Sequence, residues 1–320
     1  MRAASAVLNA KLPAPTPFAA RAAEVPGVME VPAFGSNPGG LKMMLYAPPS
    51  TPRPGAPLIV VLHGCGQDAA EFATESGWLA LADRLSLPVL LPAQTPENNR
   101  GGCFNWFRPI DTRRGRGEAV SIRQMVTEAA TGFRSDPRRI FVAGLSAGGS
   151  MAAALLASYP DVFAGGAVVA GLPVGCADDM GQAFARMSHA GPNLSGAEWA
   201  DKARERGPAG YAGVWPRLSI WRGDADHTVD PANSDLLARQ WAALHRLSRP
   251  SWTETEPAAG VRRRVWGLPE APIIEMWTVA GLPHAWPIGD SDEGRASQWV
   301  REAPVSATNE IARFWGLAQA

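Results

Sequence analysis

The chain has 320 residues, 46% apolar and 19% charged, an ordinary globular balance with ample material for a buried core. Lysine plus arginine and aspartate plus glutamate number 30 each, so no global field recruits nucleic acid or an anionic membrane surface. No apolar run approaches the roughly 20 residues of a membrane span, and three cysteines are too few for a disulfide scaffold.

Residues 1–25 have an early arginine and an A-x-A-like end but lack the apolar h-region of a secretion signal, and read as a flexible, Pro/Ala-rich leader. Residues 26–320 read as a single domain. "GVMEVPAF" and "GLKMMLYAP" predict a hairpin across the turn "GSNPGG". "PLIVVLHG" and "LPVLLPAQ" are continuous apolar runs, the signature of strands buried on both faces. Between them Asp68 can cap a helix predicted to run through Leu85. A long loop, "TPENNRGGCFNWFRPIDTRRGRGE", precedes a helix from about Ala119 to Phe133. "RRIFVAG" is a strand, "SMAAALLASY" a helix stopped by Pro160, and "AGGAVVAG" and "RLSIWRG" two further strands. Residues 176–215 are Gly-, Ala- and Met-rich with weak periodicity, and read as a cap-like excursion over the sheet. A helix near 232–247, strands "GVRRRVWGL" and "PIIEMWTVAG", and a helix near 309–317 complete the chain. Strands alternating with helices predict an α/β fold, a mostly parallel sheet with helices on both faces.

Gly144-Leu145-Ser146-Ala147-Gly148 stands between a predicted strand and a predicted helix, the context of the Gly-x-Ser-x-Gly nucleophile elbow of α/β-hydrolases. A serine hydroxyl needs a base and an orienting acid, which follow in this fold in the order Ser, Asp/Glu, His. His63 precedes the serine, His189 lies in the excursion and His245 at a helix end. His284, in "AGLPHAWP", directly follows the last strong strand and is the predicted base, with His227 second. "SIWRGDADHTVD" offers Asp224, Asp226 and Asp230; Asp230 fits a helix cap, and spacing does not separate the other two. The oxyanion donors are expected at the N–H groups of Ala147 and of Cys65 in "HGCGQ". No cluster has metal-ligand spacing, so neither metal nor cofactor is expected. Trp106 and Trp286 are the expected substrate contacts, while Phe104 and Phe107 suit substrate contact or loop packing equally. Arg108, Arg113, Arg114 and Arg116, with Glu118 beside them, read as solvated or loop-pinning. Cys65 and Cys103 lie in loops expected to meet near the site, which would permit a disulfide.

The ordered blocks "LHGCGQ", "CFNWF" with "RRGRGEAVSI", "RRIFVAGLSAGGSM", "YPDVFAGGAVVAGLP", "WRGDADHTV" and "GLPHAWP" span Pro57 to Pro287. Together they resemble the poly(3-hydroxybutyrate) depolymerase family of esterases, an α/β-hydrolase group related to feruloyl and acetylxylan esterases. The resemblance implies an ester hydrolase with an acyl-enzyme on Ser146, an ester as its substrate, and His284 as base. It places the acid at Asp226, because Gly223, Asp226 and Val229 fit the family's Gly-x-x-Asp-x-x-Val block. Members are commonly extracellular and many carry a separate polymer-binding domain, which is not read in this sequence.

Overall fold

The computed structural model describes residues 21–22, 25–247, 252–290 and 294–318. The expected leader therefore falls almost wholly outside the described residues.

The chain begins with β1 (Arg21–Ala22), β2 (Val28–Val31) and β3 (Lys42–Tyr46), and β2 and β3 form the expected antiparallel pair. β4 (Leu58–Leu62) leads to α1 (Ala69–Glu75) and α2 (Trp78–Leu85), where one helix was expected. Asp68 caps α1 by accepting from the Ala70 and Glu71 N–H groups. The helix breaks because Gly77 takes a left-handed φ of 79° while the Ser76 hydroxyl donates to the Phe72 carbonyl at 2.6 Å. That turn drops Trp78 into the core with no exposed surface. There follow β5 (Val89–Ala93), the short α3 (Pro109–Thr112), α4 (Gly117–Phe133), β6 (Ile140–Leu145), α5 (Ala147–Ser158) and β7 (Gly165–Val169). Residues 176–215 hold α6 (Met180–Ser188) and α7 (Gly196–Arg204). α7, started by a Ser195/Glu198 capping box, packs into the helical layer beside α5 and α8, whereas α6 lies against the Asp230 loop. The remainder is β8 (Arg217–Gly223), α8 (Ala232–Leu244), β9 (Trp252–Ala258), β10 (Val261–Leu268), β11 (Ala271–Val279), β12 (Trp286–Ile288), β13 (Val300–Glu302) and α9 (Ala307–Phe314).

Eleven strands form one sheet in the order β1-β2-β3-β5-β4-β6-β7-β8-β11-β10-β9. The six central strands, β5 to β11 in that order, run parallel, and antiparallel hairpins extend both edges. Two apolar cores lie on opposite faces. One joins the sheet to α4, α5 and α8 through residues such as Ile122, Leu155 and Trp241; the other joins it to α1, α2 and α9 through Phe72, Trp78 and Ile311. Burial on both faces explains why β4, β6 and β7 have no polar alternation. Parallel strands also place every strand-to-helix loop at the same sheet edge, so the segments after β4, β6, β8 and β11 share one surface.

Two glycines let α5 start close against that edge. A Cβ on Gly148 would lie 2.3 Å from the Leu62 carbonyl oxygen and 2.4 Å from that of His63. Alanine is favoured over glycine in a helix interior by about 1 kcal/mol, but overpacking against fixed backbone costs about 1–3 kcal/mol. Gly148→Ala is therefore expected to be net destabilising, seen as a lowered midpoint in thermal unfolding; an unchanged or raised midpoint would show that α5 can retreat from β4.

Candidate active site

Ser146 stands between β6 and α5 with φ 57° and ψ −116°, outside the region an L-residue ordinarily occupies. Such a conformation costs on the order of 1–3 kcal/mol and persists where surrounding structure over-determines it. Here its N–H donates to the Val169 carbonyl of β7 at 2.8 Å, and its carbonyl accepts the Ser150 N–H and hydroxyl. The backbone is tied onward along the same edge: Ala170 N–H donates to Trp221 of β8, and Asp224 N–H to Val279 of β11. The serine, acid and histidine loops are thus joined strand by strand.

The acid and histidine loops are further locked together. A Cβ on Gly223 would fall 1.9 Å from the Leu282 carbonyl oxygen, so only glycine lets the two loops touch. Ala225 N–H donates to that same carbonyl. Asp226 and His284 are both buried, and His284 Nδ1 lies 2.7 Å from Asp226 Oδ2. The other carboxylate oxygen accepts the Thr228 and Val229 N–H groups at 2.8 and 2.9 Å, which fixes its orientation. An imidazole donating Nδ1–H to this carboxylate keeps Nε2 free to accept a proton. Asp224 is exposed, and its Oδ1 accepts the Gly281 N–H at 2.7 Å, bracing the turn before the histidine. Asp230 accepts the Ala232 and Ala190 N–H groups just before the helix, whose N-cap is Pro231 rather than Asp230.

The other histidines are placed elsewhere. His63 is buried; Nδ1 donates to the Gly64 carbonyl and Nε2 accepts the Gln94 N–H, and burial pushes its basicity below the ordinary imidazole value. His245 bonds the Pro216 carbonyl, and His189 and His227 are exposed.

Across from the serine, Cys65 is joined to Cys103 by a disulfide, and Gly66 N–H meets the Gly102 carbonyl at 3.4 Å. The turn after β4 and the aromatic loop are therefore one unit. Within it Phe104 and Phe107 are buried, Phe104 against the His63 ring, while Trp106 is half-buried and meets Phe107 edge-on. Arg114 pins the loop through both nitrogens to Asp161.

Trp286 departs from expectation. Its ring is fully buried against Phe72 and Trp78, and its Nε1 donates to Thr308 of α9, so it anchors the histidine loop in the core and offers a substrate no surface. Its backbone N–H donates to the Trp299 carbonyl, and it is the half-buried Trp299 ring that meets His284 edge-on, at 6.0 Å between centroids. Trp299 had no motif to reveal it. Glu118, read from sequence as part of a charge run, is fully buried, and burial with Asp111 nearby pushes its carboxyl up to about 7.

The sequence model described as Esterase PHB depolymerase matches residues 41–260. The chain belongs to the esterase PHB depolymerase family. It is 39% identical over 310 residues to the poly(3-hydroxyalkanoate) depolymerase C of Paucimonas lemoignei, covering 95% of this chain and 73% of that one. It is 32% identical to an acetylxylan esterase of Coprinopsis cinerea, covering 83% of this chain and 71% of the relative. The acetyl xylan esterase from Aspergillus awamori superposes with a TM-score of 0.76 at 22% identity, over 91% of this chain and 99% of that one, which identifies the fold as that of the α/β-hydrolase esterases. Membership of this family makes the chain a serine-hydrolase-type carboxylic ester hydrolase of the PHB depolymerase and acetylxylan esterase type. Among the described residues no helix is long and apolar enough to cross a membrane.

The bridge between Cys65 and Cys103 leaves Cys176 as the free cysteine. Unfolded, unreduced protein is expected to show one titratable thiol, and three after reduction. Removing both bridging cysteines should cost about 2–4 kcal/mol in denaturant unfolding. Three thiols before reduction would exclude the bridge.

Proposed function

We propose that the chain cleaves polyhydroxyalkanoate-type polyester, or its oligomers, through an acyl-enzyme on Ser146. The observation that carries this reading is the buried 2.7 Å contact between His284 and Asp226 on the same sheet edge as a serine in a strained elbow. In this mechanism Ser146 Oγ attacks the ester carbonyl carbon while His284 Nε2 takes its proton. The tetrahedral oxyanion is held by the N–H groups of Cys65 and Ala147, the latter at the start of α5, where helix N–H groups point outward. Asp226 orients the imidazole and stabilises its positive charge. The tetrahedral carbon then expels the alcohol, which leaves with the proton from His284. Water, deprotonated by the same histidine, attacks the acyl carbon, releases the acid and restores the serine.

Trp106 is the proposed substrate contact on the oxyanion side and Trp299 on the histidine side. The name of the relative at 39% identity supports the polyester class.

The deciding experiment measures soluble 3-hydroxybutyrate released from amorphous poly(3-hydroxybutyrate). Release by the wild type and none by Ser146→Ala is expected; wild-type activity on acetylated xylan alone would move the substrate to sugar esters. Asp226→Asn is expected to lower kcat by on the order of 10⁴-fold, and Asp224→Asn far less, because Asp224 only braces the Gly281 turn. The reverse ranking in a soluble-ester assay would transfer the acid role to Asp224.

A further inference from the structure

Glu118, near the start of α4, is a fully buried carboxylate with no arginine or lysine ion pair among the described residues. Neutral donors surround it instead. Oε1 accepts from Gln94 Nε2 at 2.7 Å, Asn98 Nδ2 at 2.8 Å and Asn105 Nδ2 at 2.7 Å, and Oε2 accepts the Asn105 N–H at 2.8 Å. A carboxylate has about four acceptor positions, so the group is close to saturated. Every one of these donors lies in the segment between β5 and α3 that carries Cys103 and Trp106.

Two paths lead from this carboxylate to the turn after β4. Gln94 Nε2 also donates to the Cys103 carbonyl, and Gln94 N–H donates to His63 Nε2, whose Nδ1–H holds the Gly64 carbonyl. Asn105 lies two residues from Cys103, which the disulfide joins to Cys65. We infer that Glu118 is a positioning residue that fixes the oxyanion turn at Gly64–Cys65 and the Trp106 loop as one unit, an inference that rests on the Cys65 N–H being an oxyanion donor.

The groups facing Glu118 also make its protonation state matter. Asp111 of α3 accepts the Glu118 N–H, with Arg108 beside that aspartate, and His63 lies beyond Gln94. Burial disfavours the charged form of His63, whose Nε2 accepts the Gln94 N–H. Burial first, and Asp111 second, raise the Glu118 carboxyl to about 7, against the donors from Gln94 and Asn105. Protonation places an O–H among groups that are themselves donors, so the grip on the loop loosens as pH falls through about 7. The linkage to stability has the opposite sign. A carboxyl raised by folding contributes stability that is present at low pH and lost as pH rises through its folded value. Rate and stability therefore move in opposite directions, which a purely structural role would not produce.

Glu118→Gln replaces one acceptor oxygen by an NH2 that faces donors. In a soluble short-chain ester assay kcat is expected to fall about tenfold or more with KM within about twofold, the pattern of impaired oxyanion stabilisation. Between about pH 5 and 8 the wild type is expected to gain rate more steeply than the variant, while its melting temperature relative to the variant declines. A folded variant with kcat within twofold of wild type, or a rate difference that simply follows melting temperature, would overturn the inference. Should Glu118→Gln fail to fold by circular dichroism, Gln94→Met keeps three donors on Glu118, leaves the main-chain N–H bond to His63 in place and removes the amide that joins the carboxylate to the Cys103 carbonyl; the same fall in kcat is expected, and an unchanged kcat overturns the inference. Labelling of wild-type Ser146 by a nitrophenyl phosphonate separates the two readings, since absence of labelling would sink the Ser146 mechanism itself.

Discussion

The site depends on how closely the start of α5 presses on the strand ends beside it. A Cβ at Gly144 would lie 2.3 Å from the Gly148 carbonyl oxygen, and one at Gly148 equally close to the end of β4. With both positions reduced to glycine, the chain reverses within a single residue, and that residue is Ser146 with φ 57°. The strain is offset by a helix in which every residue from Ala147 to Ser158 is buried. A helix apolar all round has no solvent face along which to slide. The hydroxyl is therefore presented from the centre of the parallel sheet, and the loops after β4, β8 and β11 are arranged around it.

Those loops are held by two different kinds of interaction. On the histidine side, main-chain bonds dominate: Asp224 N–H to Val279, Ala225 N–H to Leu282, and the contact that Gly223 permits. Trp286 then fastens the same loop into the core. On the oxyanion side, the fastening is by side chains: the disulfide, His63, Gln94, Asn105 and Glu118. Buried polar groups in such an arrangement are costly unless each finds a partner, and here the carboxylate oxygens and imidazole nitrogens all do. Glu275, buried in β11, makes the contrast: it pairs with Arg263 and Ser219 well away from the loops, as a charge balanced within the sheet.

What was legible in the sequence follows from the range of the interactions. The elbow is local, since strand, glycines and helix are contiguous, so the turn at Ser146 could be read directly. His284 followed from strand order. Asp226 could not be told from Asp224 by spacing, because what separates them is contact with residues more than fifty positions away, His284 for one and Gly281 for the other. The family's block of Gly223, Asp226 and Val229 encodes that distinction, and the structure supplies its reason: a glycine where loops touch, and an N–H from Val229 to the carboxylate. The break at Gly77 was hidden because a lone glycine in an amphipathic pattern is commonly tolerated. Glu118 resembled its charged neighbours, because burial is not written in a charge run.

The two tryptophans of the histidine side show the same limit most sharply. Trp286 is two residues from His284 and its ring lies in the core; Trp299 is fifteen residues from the histidine and its ring meets it. β12 and β13 pair with Trp286 opposite Val300, so the strand after Trp299 is brought alongside the strand after His284. Once that register is set, and the Trp286 N–H is bonded to the Trp299 carbonyl, the two rings cannot exchange places without breaking the pairing. Nearness in sequence thus pointed to an aromatic whose ring lies in the core, while a short parallel pairing of strands brings the Trp299 ring beside His284. The aromatic flank of the histidine comes from the segment just before the last helix, and α9 supplies the hydroxyl of Thr308 that holds Trp286 away from it.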